Sequence, residues 1–232
     1  MNKKNDVKDF SYSVSHDLSG PLRIIREFSK RLLSDLGEDL TEKQKLYSGL
    51  INDSVVKAEM LLQNISEYAL VTEKEKKINV SSSIKSDIIE PVILALKQED
   101  KLFQDAEFNI LGSELIINTD LDYLKTVFSH LIRNALFFKK DSQKAIIDIA
   151  YQINGPEIHF SIKDNGIGIS IDNHELIFRL SKVLDPIKYP ENRGAGLAMA
   201  QKIIEDIFDG KIWLESDQNG SIFHFRIQNC ES

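Results

Sequence analysis

The sequence predicts an α plus α/β chain: a helical hairpin, then an α/β sandwich. Three observations carry this reading. The first third holds two long stretches with helical apolar spacing, residues 71–77 form a charged run without period, and strand and helix patterns alternate after residue 78. The charged run places a boundary near residue 73, giving units of residues 1–73 and 74–232.

The first helix is expected over residues 9–36. Phe10, Val14, Asp17, Pro21, Ile24 and Phe28 recur at alternating four- and three-residue steps, the spacing of a bundle seam. Leu18, Leu22, Ile25 and Leu32 widen the apolar face. Leu36 to Leu40 breaks the pattern, and Thr41 with Gln44 reads as a capping box that opens a second helix. Ile51, Val55, Ala58, Leu62, Ile65 and Ala69 repeat the same steps. A lone hairpin cannot cover two apolar faces, so two copies are expected to pair as a homodimer in a four-helix bundle.

In the second unit, helices are expected over 83–97 (kinked at Pro91), 121–138 (capped by Asp120) and 197–208. Strands are expected over 107–111, 115–118, 145–153, 157–163, 211–215 and 221–227, with a turn at Asn154-Gly155.

Composition excludes several classes. A net charge of −7 disfavours a nucleic-acid partner. Apolar runs are too short for membrane insertion, and the polar start leads into no secretory core. Cys230 is the single cysteine, so neither a disulfide nor a cysteine metal cluster is possible within the chain. These features predict a cytoplasmic protein.

Four motifs carry chemistry. His16 projects sideways from the seam. Asp17 beside it can accept one ring N–H and leave the other nitrogen free to attack an electrophile. Gly20 and Pro21 weaken the helix just beyond. Asp164-Asn165-Gly166-Ile167-Gly168 follows a strand: the glycines admit close approach of a flat ligand, and Asp164 can accept from an exocyclic amine. Gly194-Ala195-Gly196-Leu197 opens a helix and suits an anion. Asn134, inside a helix, offers a hard oxygen donor suited to Mg²⁺. Each motif alone is weak. His159 and His224 read as surface residues, and His174 sits at the start of a lid.

Taken in order, Ser15-His16-Asp17-Leu18 with Pro21-Leu22, Asn134-Ala135, Asp164 to Ile169 and Gly194 to Ala200 resemble the sensor histidine kinases. Phe10 to Leu18 looks most like the subgroup behind phytochrome and PAS sensors. The resemblance covers residues 8–228. It implies a dimerising phosphoacceptor hairpin and a Bergerat-type ATP-binding domain with ATP and Mg²⁺. It makes His16 the phosphorylated residue, with Asp17 beside it, and Asn134 the metal ligand. Lys139, Asp164, Gly166, Gly168, Gly194, Gly196 and Leu197 join Asn134 around the nucleotide. The implied partners are the receiver domain of a response regulator and an upstream sensor domain or sensor protein. The chain itself is expected to be either the end of a longer receptor or a stand-alone kinase.

The family's asparagine box usually has Asn where His130 stands and Lys where Phe137 stands; Asn192 and Ser181 replace a Gly and a Phe. A second reading therefore stays open: a dimeric phosphotransfer or scaffold module with a weak nucleotide site. A plain ATPase of the same superfamily is disfavoured, since no Glu lies between Asp120 and Lys140 to activate water. Family members that dephosphorylate their partner carry Thr or Asn four residues after the His. Gly20 holds that place, so weak phosphatase activity is expected.

Overall fold

The computed structural model describes residues 3–37, 40–71, 79–99, 103–141, 143–180 and 194–229, and gives the backbone alone for 3–13, 15, 16, 79 and 80. It divides into two compact units, residues 1–73 and 74–232. The expected linker falls largely outside the described residues.

The first unit is a hairpin of α1 (Lys3–Leu36) and α2 (Glu42–Leu70). α1 extends beyond the predicted start because its first polar turn carries no apolar period to announce it. Gly37 leaves α1 at a φ of 64°. The capping box forms as expected: Thr41 Oγ1 accepts the Gln44 N–H, and the Thr41 N–H donates to Gln44 Oε1 at 2.8 Å. On α2 the predicted line forms the hairpin contact from Val55 onward, with Val55 and Leu62 buried and Ala58, Ile65 and Ala69 half-buried, while Ile51 is exposed. On α1 the contact runs through Leu22, Arg26, Ser29 and Leu33 instead, and Arg26 pairs with Glu59 at 2.8 Å. The predicted seam residues Ile24 and Phe28 lie 56% and 63% exposed. The physical reason is geometric: α1 is apolar over more of its circumference than one partner helix can cover, and Leu18, Ile25 and Leu32 of the second line are exposed as well.

The second unit opens with β1 (Asn79–Ser83), which pairs antiparallel with β3 (Ile116–Thr119). β1 was not predicted, since Ser81 to Ser83 lack strand alternation. Ser83 then caps a π-turn over Ile84–Ile89 that runs into α3 (Glu90–Glu99). The wide turn precedes Pro91, whose missing N–H makes regular α-helical bonding impossible there. The main sheet has the order β2-β4-β5-β7-β6, from β2 (Glu107–Leu111), β4 (Ile146–Asn154), β5 (Glu157–Asp164), β6 (Lys211–Asp217) and β7 (Gly220–Gln228). β2 runs parallel to β4, and the other pairs are antiparallel.

α4 (Leu121–Phe137) begins at Asp120, whose Oδ1 accepts the Tyr123 N–H at 3.2 Å. α5 (Gly196–Lys202) continues as a π-turn over Ile203–Ile207. α4 contacts both α3 and α5. The core closes where Phe128 of α4 meets Phe160 and Phe225 edge-on, with those two rings stacked at 4.6 Å. Along β5 the buried positions are Ile158, Phe160, Ile162 and Asp164. The period-two alternation thus delivers a carboxylate, in phase with the core residues, to the inner face at the strand's end.

Candidate active site

Asp164 is 7% exposed. Its Oδ1 accepts the Gly166 N–H at 2.8 Å and the Ser221 N–H at 3.2 Å. Burial pushes its carboxyl up from the ordinary range; the two backbone N–H groups and the charge of Lys140 pull the other way.

The loop after Asp164 is held between the end of α4 and the β6–β7 hairpin. Asn165 Oδ1 accepts the Ile146 N–H at 2.9 Å, and its Nδ2 donates to the Lys144 carbonyl at 2.9 Å. The Ile167 N–H donates to the Phe138 carbonyl at 3.0 Å. The Ile169 N–H donates to Ser216 Oγ at 2.8 Å. The glycines are required by the chain's own backbone: a Cβ on Gly166 would sit 2.5 Å from the Phe138 carbonyl oxygen, and one on Gly168 (φ 73°) 1.7 Å from that of Asp217. The close approach predicted for a ligand is first an approach of backbone to backbone.

Asn134 lies half-buried near the end of α4, one turn after the half-buried His130. A Cβ on Gly196 would lie 3.1 Å from His130 Nδ1, so the start of α5 packs directly on α4 at this point. Gly194 (φ 66°) makes the left-handed step before α5, Ala195 is buried, and Leu197 is half-buried. The structure therefore brings the α4 face of His130 and Asn134 to Gly196, and Asp164 into one loop with Gly166 and Gly168. Lys139 is half-buried beside Lys140. Residues 181–193, which include Ser181 and Asn192, lie outside the described residues.

His16 falls on α1, with its side chain outside the described residues. Asp17 is exposed and Gly20 half-buried. His159 and His224, expected at the surface, are half-buried on the sheet: His159 lies 3.2 Å from Glu157, and His224 stacks on Trp213. Sequence reasoning missed Ser216, Ser221 and the Phe138 carbonyl. Backbone partners so distant in the chain leave no local signal. Among the described residues no group of acids, histidines and cysteines forms a metal cluster, and no helix is long and apolar enough to cross a membrane.

Residues 119–230 match the family described as "Histidine kinase-, DNA gyrase B-, and HSP90-like ATPase". That match spans Asn134, the Asp164 loop and the glycine segment that opens α5. The chain has the build of a histidine kinase catalytic core. The chain is 34% identical over 99% of its length to cyanobacterial phytochrome B of Nostoc sp., of which it covers 30%. It is 29% identical to the methanogenesis regulatory histidine kinase FilI of Methanothrix harundinacea, over 93% of this chain and 24% of that protein. It thus spans less than a third of the length of these relatives. In fold it resembles the histidine kinase ThkA, solved in complex with the response regulator protein TrrA, with a TM-score of 0.62 and 24% identity over 95% of this chain and 61% of ThkA.

Proposed function

We propose that this kinase core autophosphorylates His16 from ATP and passes the phosphoryl group to an aspartate on the receiver domain of a response regulator. The observation that carries the reading is Asp164: a buried carboxylate, pinned through Oδ1 by two backbone N–H groups, in the ATPase-family unit. Its Oδ2 is the oxygen assigned to the adenine amine. Gly194, Gly196 and Leu197 provide the backbone beside the phosphates, and Lys139 or Lys140 adds positive charge.

Asn134 fits a hard cation through its amide oxygen, and Mg²⁺ there would neutralise charge on the transferring phosphoryl group. Asp17 accepts one ring N–H of His16 and fixes the tautomer. The unprotonated nitrogen attacks the γ-phosphorus, the bond to the bridging oxygen breaks, and ADP leaves. The phosphoryl group then moves to the regulator's carboxylate, and His16 returns to its starting form. A regulator is the partner found with ThkA, and phytochrome B among the relatives supports an upstream sensor for this core.

The exposed apolar line of α1, with Ile24 and Phe28, supports a homodimer through the hairpin. The deciding experiment is label transfer from γ-labelled ATP. The wild type should gain acid-labile phosphate, and His16→Gln should gain none while still binding nucleotide. Label on the Gln variant would sink the assignment.

A further inference from the structure

We infer that His130 is a positioning residue that sets the height of the glycine segment over α4 in the nucleotide site. This rests on the ATP-binding reading above.

The ring occupies the space that a side chain at position 196 would need. An ideal Cβ there would lie 3.1 Å from Nδ1, 3.5 Å from Cγ and 3.6 Å from Cβ of His130. Gly196 is the first residue of α5, immediately after the turn made by Gly194 at φ 66° and by Ala195. His130 therefore touches the chain where it enters α5, the stretch assigned to the phosphates. It also stands one helical turn before Asn134, so one α4 face carries both the spacer and the proposed metal ligand.

On its other side His130 borders a groove between α3 and α4, with Val92, Leu96 and Ser129 among the lining. The same residue thus lines the groove and packs against the glycine segment. Truncating it would remove the side chain whose atoms lie nearest a Cβ at Gly196. The start of α5 would then lose its fixed distance from Asn134.

The chemistry of the ring suits a spacer. Burial, and next the nearby charge of Arg133, lower its pKa to about 4, so it is neutral in ordinary conditions. A neutral ring fills space beside the start of α5 without needing a counter-charge.

The inference separates phosphate binding from adenine binding. Asp164 holds the base from the β5 end, far along the chain from α5, so loss of the spacer should act on the phosphate half of the ligand. Mg-ATP and adenosine are the probes, titrated against the full chain and its variants, with thermal midpoints recorded. His130→Ala should weaken Mg-ATP about tenfold while leaving adenosine within about twofold, because misplaced groups cost binding only where they touch the ligand. His130→Phe, which refills the ring volume, should bring Mg-ATP back to within about threefold of wild type. His130→Asn, smaller but polar, should fall between the two; if the Ala variant fails to fold, the Asn and Phe variants decide by the same ratio.

Equal losses for Mg-ATP and adenosine would overturn the inference, since a merely structural residue would weaken both. Unchanged Mg-ATP affinity in the Ala or Asn variant would overturn it as well. A wild type that binds neither probe would overturn the ATP-binding reading itself, and the inference with it.

Discussion

Oδ1 of Asp164 accepts the backbone N–H of Ser221 at 3.2 Å, a bond between residues 57 apart in the chain. Together with the Gly166 N–H, it makes this carboxylate a structural joint between β5, its following loop and β7. Base recognition and loop support thus fall on one side chain, and substitutions separate them.

Asp164→Asn keeps an oxygen for the two N–H groups but offers an amine where the ligand needs an acceptor. It should fold with a thermal midpoint near wild type and lose the preference for ATP over GTP, because guanine replaces the amine of adenine with a carbonyl. Asp164→Ala leaves two buried donors without their acceptor and should also cost about 1–3 kcal/mol of stability. Nucleotide titration beside thermal unfolding reads both effects. Equal ATP and GTP binding by the wild type would remove the base-reading role.

The split between what was legible and what was not follows the range of the interactions. The Thr41–Gln44 cap, the Asp120 cap and the strand ending in Asp164 depend on residues a few positions apart, and each was read correctly. The position of Asn134 and of both glycine segments was legible because each sits in a short motif. Which apolar residues of α1 meet α2 within the hairpin was not: Leu22 and Ile24 carry similar apolar weight, and only α2 decides which of them it covers. Nor was the joint from Asp164 to Ser221, or the packing of His130 on Gly196, since both depend on a fold that brings distant backbone together. β1 was missed because its pairing with β3, rather than its own serines, makes it a strand.

His130 gives a pH signature. Its folded-state pKa of about 4 lies below the ordinary imidazole value of 6.5. Between these values the unfolded chain binds a proton that the folded chain does not. The stability due to the neutral ring is therefore fully present above pH 6.5 and is lost as pH falls through that window. Discounted for a ring that is only half-buried, the loss is about 2 kcal/mol. Urea unfolding of wild type and His130→Asn at a series of pH values from neutral to acid isolates this contribution, since the carboxylates are common to both. Parallel curves would mean that the ring takes up its proton as readily in the fold as in the unfolded chain.

The hairpin makes a prediction about assembly. Ile24, Phe28 and Leu32 stand 56%, 63% and 62% exposed on one side of α1. A dimer would bury Phe28 twice by symmetry, a contribution of about 2 kcal/mol from each copy. Phe28→Glu should therefore weaken association about a thousandfold or more. Sedimentation velocity at tens of micromolar should find the wild type dimeric and the variant monomeric, with the helical signal retained in both. A monomeric wild type would remove the bundle.

Gly20 bears on the reverse reaction. On a helix, residue 20 lies one turn beyond His16 and on nearly the same face, the place from which a polar side chain can orient water against a phosphorylated partner. Glycine has nothing to offer there. Ser19 lies round to the other side of His16 and is a poor substitute. The position has room, since an ideal Cβ at Gly20 meets no atom within 4 Å. Gly20→Asn should therefore fold without a clash, and the helix should gain a few tenths of a kcal/mol, roughly the propensity difference. The wild-type chain should leave the decay of a phosphorylated receiver domain nearly unchanged, with or without ADP, while Gly20→Asn should speed it several-fold. The gain should disappear in Gly20→Ala, which restores helix propensity but supplies no polar group. That contrast separates water orientation from simple stiffening of the helix before Pro21. A wild type that already speeds the decay several-fold, and still does so as Ser19→Ala, would show that the side chain missing at Gly20 is not what limits the reaction.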